Sequence, residues 1–168
     1  MSLYDTYAHL EGRPYVDGQD DCYGLVRRYY REQYGMALTN YARPIGFDRG
    51  GLMLLTDNFM REGFRTVDCS WREIQIGDLF LMNIASRHGA NHIGVYVGNG
   101  YLLHHLYQRP SVADPLDERW KARVLNILRH PDVFALNNQK LQKTDARLLL
   151  PPHLRSRFEN RSTENPLE

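Results

Sequence analysis

What this chain lacks narrows its function before any motif does. Only two cysteines, Cys22 and Cys69, occur among 168 residues, too few for a disulfide scaffold and without the paired spacing of a zinc site. A reducing compartment and at least one free thiol are expected. Neither sign of charge is in excess: 21 Lys plus Arg against 20 Asp plus Glu leave a formal +1, so the footprint of a nucleic-acid-binding or anionic-membrane-binding chain is missing. No apolar run is long enough to span a bilayer, and the start, Met-Ser-Leu-Tyr-Asp-Thr-Tyr, has neither a basic n-region nor an apolar h-region. Synthesis as a soluble cytosolic chain, without membrane insertion, is the reading. No internal repeat is visible, and no third ligand at metal spacing joins His88 and His105, which read as structural or solvent-facing. No metal and no cofactor are expected.

What is present fits one globular domain: 42% of the residues are hydrophobic and 24% charged, enough for a core that needs no staples. A short helix is expected over Leu3 to His9, broken by Glu11-Gly-Arg-Pro-Tyr. From Cys22 to Tyr34 the positions Leu25, Val26, Tyr29, Tyr30 and Tyr34 recur at helical spacing, with Arg27, Arg28, Arg31 and Glu32 opposite. Asp21 stands at the N-cap and Gly35 at the stop. A looser stretch through Pro44, Gly46, Gly50 and Gly51 leads to a second expected helix, Leu52 to Glu62. After Trp71 the pattern changes to strands: Asp78-Leu-Phe-Leu-Met, His92-Ile-Gly-Val-Tyr-Val, Tyr101 to Leu106, and Ala122-Arg-Val-Leu-Asn-Ile-Leu. The fold class is therefore α+β, a Cys-bearing N-terminal helix packed on an antiparallel sheet. Residues 1–135 are taken as the domain and 136–168 as a polar, partly disordered extension.

Cys22 opens the best-defined helix. There a thiol faces the positive end of the helix dipole, which favours thiolate. Cys69, between Val67-Asp68 and Ser70-Trp71, has no helix starting beside it and serves as the control. A nucleophile needs a base, and His92 opens an otherwise apolar strand from which an imidazole can take the thiol proton. A third polar group must hold that imidazole. If Gly98-Asn99-Gly100 is the whole hairpin loop, Gly94 faces His104 and His104 shares a face with His92; if Asn99-Gly100 alone turns, His105 takes that face. Spacing leaves both open.

These residues resemble a family. Asp-Cys-Tyr-Gly-Leu-Val, then Gly77-Asp78-Leu79, then His92-Ile-Gly-Val-Tyr-Val-Gly-Asn-Gly-Tyr-Leu-Leu-His104 are similar, in that order, to the motifs of NlpC-type cysteine peptidases, from about Gly12 to Leu106. The resemblance implies a papain-like fold with Cys22 as nucleophile, His92 as base and His104 as the orienting residue. It places Tyr15 beside the cysteine, where its hydroxyl would assist the Cys22 backbone N–H at the oxyanion, and puts Asp21 and Tyr23 on the substrate side. The substrate implied is a peptidoglycan stem peptide, cut between D-glutamate and the diamino acid. Bacterial cell-wall members carry serine after the cysteine; Tyr23, with Leu-Val-Arg-Arg-Tyr-Tyr-Arg after it, looks most like the NlpC-type domains of phage tail-tip assembly proteins, which implies tail-tip partners and a virion location. A structural tail component with a residual site, and an amidase or acyltransferase on the same thiol, are the alternatives.

Overall fold

The structure, a computed structural model, describes residues 4–43 and 54–143. The Pro44 to Gly51 loop, the first residues of the second expected helix and residues 144–168 of the expected extension lie outside them. The chain separates into two units, Met1–Phe134 and Ala135–Glu168. The first holds everything that follows. Of the second, the residues up to Lys143 continue a helix that begins at Pro131, so helix crosses the position where the sequence suggested an extension begins.

Where one helix was expected near the N-terminus, two 3-10 turns stand at Tyr4–Thr6 and Ala8–Leu10. Helix α1 spans Cys22–Tyr34, and helix α2 spans Leu54–Arg61. Six strands follow: β1 (Arg65–Val67), β2 (Leu79–Met82), β3 (His92–Gly98), β4 (Tyr101–His104), β5 (Val112–Pro115) and β6 (Val124–Arg129). They form one sheet in the order β1-β6-β2-β3-β4-β5, every pairing antiparallel. A short helix α3 (Glu118–Lys121) precedes β6, and α4 (Pro131–Lys143) follows it. The sheet is covered on both faces. On one, Val26, Tyr29 and Tyr30 of α1 pack with Leu79, Leu81, Ile93, Val95 and Leu103; on the other, Phe80, Met82, Leu102 and Ile127 meet Tyr96 and Trp120. Burial of a Leu or Phe side chain contributes about 1.5–3 kcal/mol, so this two-sided strand core dominates the fold's stability.

Local chemistry fixes where α1 begins and ends. Asp21 caps it, its Oδ1 accepting from the Gly24 N–H at 2.7 Å, and Gly35 closes it in the left-handed region at φ 67. Gly24 is demanded by closeness: a Cβ there would stand 1.8 Å from the Gln19 carbonyl oxygen. Asp21 also accepts from the Gly18 N–H at 3.0 Å and from Arg43 at 2.8 Å, an ion pair whose side chains are 7% and 4% exposed. Cys22 is thus held by a cap, a close backbone contact and a buried charge pair. The Gly77-Asp78-Leu79 motif is likewise structural. Asp78 accepts from the Gln75 N–H at 2.8 Å and takes a two-pronged grip from Arg129 at 2.8 and 2.7 Å, tying the entry of β2 to the end of β6.

The β3–β4 hairpin combines features of both expected registers. Asn99 and Gly100, both at positive φ, make a two-residue turn between paired Gly98 and Tyr101, as the shorter alternative required. A bulge at Val97 then adds one residue to β3, which restores Gly94↔His104. His104, and not His105, shares the face of His92.

Candidate active site

Cys22 lies half-buried at the first turn of α1, and the backbone N–H of Ile93 donates to its sulfur. The thiol therefore sits against the backbone at the start of β3, at the residue that follows His92. His92 and His104 are both buried, with Nε2 of His92 3.1 Å from Nδ1 of His104. The chain continues on β5, where Nε2 of His104 lies 3.1 Å from Oδ2 of Asp114. Gly94 makes room for this arrangement: a Cβ there would stand 3.0 Å from Cβ of His104 and 2.5 Å from Leu102.

Hydrogen-bond bookkeeping assigns the protons. A carboxylate only accepts, so Nε2 of His104 carries the hydrogen; a neutral imidazole then presents Nδ1 as a lone pair, and His92 must donate to it from Nε2. Nδ1 of His92 is left unprotonated, the form a general base requires. Trp120 buttresses the chain, its ring edge-on to His104 at 4.4 Å between centroids.

The electrostatics differ from the sequence expectation of a thiolate. Burial, followed by the Asp21 carboxylate, pushes the Cys22 thiol up to about 12; the Ile93 N–H, Arg43 and the Tyr23 N–H oppose this and are outweighed. Burial, with help from His104 and His105, pushes His92 down to about 3. His104 is also pushed down by burial, against the pull of Asp114. At neutral pH the resting pair is a neutral thiol and a neutral imidazole, so activation takes the form of proton transfer during attack. Cys69, the control, is raised as well, by burial first, with Arg129 opposing.

The remaining residues expected at the site divide. Tyr15 is there: its ring lies edge-on to His105 at 5.4 Å and to Tyr107 at 5.3 Å, and its hydroxyl is raised by burial, by its bond to Asp17 and by the nearby Cys22. That hydroxyl donates to Asp17 at 3.1 Å, so in the resting state its proton points to Asp17 and not to an oxyanion. Asp21 is a cap and an ion-pair partner, with both oxygens committed. Tyr23 is not on the substrate side. It is fully buried, donates to the Thr39 carbonyl at 3.0 Å and packs on Phe59 beneath Arg43; one residue along a helix turns the side chain by about 100°, which sends Tyr23 into the core.

Sequence reasoning missed Asp114 and Trp120 and took His105 as peripheral. His105 is buried under Tyr15, and neither of its ring nitrogens has a hydrogen-bond partner among the described residues. Burial pushes it down, against nearby backbone groups of Arg109 and Arg13 and the carboxylates of Asp20 and Asp21.

Comparison with known proteins gives these features a frame. A model described as the NlpC/P60 family matches residues 12–129. Two curated relatives are each a "Tail tip assembly protein K". That of Escherichia phage N15 is 34% identical over 125 residues, covering 72% of this chain and 49% of the relative. That of Escherichia phage lambda is 33% identical over 122 residues, covering 73% and 59%. The chain thus spans about half the length of the curated relatives it matches. Among solved structures, a lipoprotein-like NLP/P60 family protein from Staphylococcus aureus covers 76% of this chain and 39% of its own, at 21% identity and a TM-score of 0.49.

Proposed function

Because the chain belongs to the NlpC/P60 family, we propose that its first unit is a cysteine peptidase that hydrolyses peptidoglycan stem peptides, at the amide between D-glutamate and the diamino acid, as part of a phage tail tip. The observation that carries the reading is the Asp114–His104–His92 chain, whose hydrogen bonds leave Nδ1 of His92 unprotonated at the start of the strand whose Ile93 N–H donates to the Cys22 sulfur. The peptide bond cleaved and the tail-tip setting come from the family and from the two relatives' names, not from the geometry.

In this mechanism the scissile carbonyl carbon is attacked by the Cys22 sulfur as its proton passes to Nδ1 of His92. The Cys22 backbone N–H, one of the unpaired donors that every helix start presents, faces the oxyanion; Tyr15 joins it once its hydroxyl leaves Asp17. His92 then protonates the leaving amine, and a water activated by the same imidazole hydrolyses the thioester. Imidazolium forms next to His104, whose tautomer Asp114 holds throughout. Incubating the purified chain with peptidoglycan or a stem tetrapeptide tests this by mass spectrometry: a new amine terminus that disappears in Cys22→Ala supports it, and intact substrate removes it.

A second reading has one observation in its favour. Cys22 is held far from thiolate, which suits a structural tail component with a residual site. Phage carrying Cys22→Ala that infect thick-walled hosts at normal efficiency would favour it.

A further inference from the structure

Beside His104, on the sheet face that carries Phe80, Met82 and Leu102, lies a cavity of about 380 Å³, within the size range of small-ligand pockets. Two of its wall residues touch the proposed catalytic chain directly: Asp114 accepts from His104, and Trp120 packs its ring against it. Ile84 and Leu106 supply an apolar wall, and three guanidinium groups, from Arg109, Arg119 and Arg123, complete the lining.

The charges in this cavity do not cancel. Asp114 is committed to His104 at 3.1 Å, and Arg119 is paired with Asp117 at 2.8 Å while Asp117 caps α3. Arg123 donates to the Arg119 backbone carbonyl and lies 5.5 Å over the Trp120 ring, with no carboxylate within ion-pair distance among the described residues. Arg109 is exposed and likewise has no carboxylate partner there. Single arginines on a surface are ordinarily solvated and carry no message. Here two uncompensated guanidiniums line one concavity with an indole and two aliphatic side chains, and a planar guanidinium fork matches a carboxylate in both charge and shape.

We infer that this cavity is a subsite for a carboxylate of an acidic peptide, seated by Arg109 and Arg123 against Trp120. The inference deepens the peptidase reading and rests on it: it would make the protein select stem peptides with free carboxylates over those whose carboxylates are amidated.

The test uses the full chain carrying Cys22→Ala, to stop turnover, and Trp71→Phe, which leaves Trp120 as the sole tryptophan. Two probes are titrated by fluorescence: the tetrapeptide L-alanyl-γ-D-glutamyl-diaminopimelyl-D-alanine with free carboxylates, and the same peptide amidated. The free peptide should perturb Trp120 and bind about tenfold more tightly, the scale of two charge-assisted contacts at a solvated rim. Arg109→Gln with Arg123→Gln should bring it down to the affinity of the amidated probe. Equal binding of the two probes, a preference that survives the double substitution, or no binding of either would overturn the subsite. Turnover by the Cys22 chain separates the two claims. Cleavage of both peptides without arginine dependence would leave the peptidase reading standing and remove the subsite. Arginine-dependent binding without any cleavage would do the reverse.

Discussion

Asp114 and His104 stand 3.1 Å apart, and this one contact sets the proton at each nitrogen from β5 to the start of β3. Replacing Asp114 by Asn tests it. An amide can donate as well as accept, so the His104 tautomer is no longer dictated, and in half of the arrangements His92 presents a hydrogen, not a lone pair, to the thiol. The kcat on a stem peptide should fall about ten- to a hundredfold, with KM little changed, the scale on which removing the carboxylate that orients a metal-bound histidine acts. Because Asp114 is a positioning residue, its pH–rate profile should change shape as well as height. An unchanged profile with a uniform loss would mean Asp114 is merely structural.

The buried histidines make a prediction about acid. In the native state His92 is pushed down to about 3 from an ordinary 6.5, and His104 and His105 are pushed down too, all chiefly by burial. Below pH 6.5 the unfolded chain binds protons that the native one refuses, so stability is complete above that pH and is lost as the pH falls toward 3. At pH 5 His92 alone should cost about 2 kcal/mol relative to pH 7. Urea unfolding at the two pH values measures this, and His92→Gln should flatten the dependence. Equal midpoints for the parent chain would refute it.

Asp21 shows how much of the site sequence could supply. Its place at the N-cap was legible because the α1 periodicity starts one residue later. Its pairing with Arg43 was not, since 22 positions separate them and no local pattern joins them. Breaking one side of a buried ion pair typically costs about 3–5 kcal/mol. Arg43→Met and Asp21→Asn should therefore each lower the unfolding midpoint sharply, since each leaves the other partner's charge buried without its counter-ion. Calorimetry on the two variants tests this, and parental midpoints for both would deny the ion pair its role.

Gly24→Ala is a sterner test of the same corner. Its Cβ would meet backbone, the Gln19 carbonyl at 1.8 Å, not a side chain that can rotate away. The loop before Cys22 must move, and a loss of stability of several kcal/mol is expected, at the high end for a single substitution. A variant with parental melting temperature and parental Cys22 reactivity would show that the contact relaxes freely.

Helix α1, the four central strands β6, β2, β3 and β4, and the places of Cys22, His92 and His104 on them were legible because each rests on short-range periodicity or on a motif of fixed order. Asp114 and Trp120 were not. Strand β5 reads Val-Ala-Asp-Pro, half-buried at the sheet edge without period-2 alternation, and α3 is a single turn. The hairpin register was undecidable for a physical reason: the turn is the short one, and only the bulge at Val97, which has no sequence marker, brings His104 opposite Gly94.

The protonation state of Cys22 divides the two accounts of it. A helix N-terminus alone argues for a thiolate near neutrality, which would make alkylation by iodoacetamide level off at about pH 6 to 7. The site as built opposes this: the sulfur is desolvated and lies beside the Asp21 carboxylate, and the thiol is pushed up to about 12. Only the thiolate reacts, so the labelling rate of Cys22 should climb about tenfold per pH unit from 7 to 10 with no plateau in that range. Cys69 is raised as well, by burial first, so its labelling should also rise with pH above 7. The same thiol should nonetheless react with a peptidyl electrophile that fits the site, since binding brings the carbonyl to sulfur while His92 takes the proton in the same step. His92→Ala should abolish that reaction and leave the slow iodoacetamide line almost where it was. A plateau below pH 7 that vanishes with His92 would show instead a resting thiolate–imidazolium pair, and the argument from burial would fall.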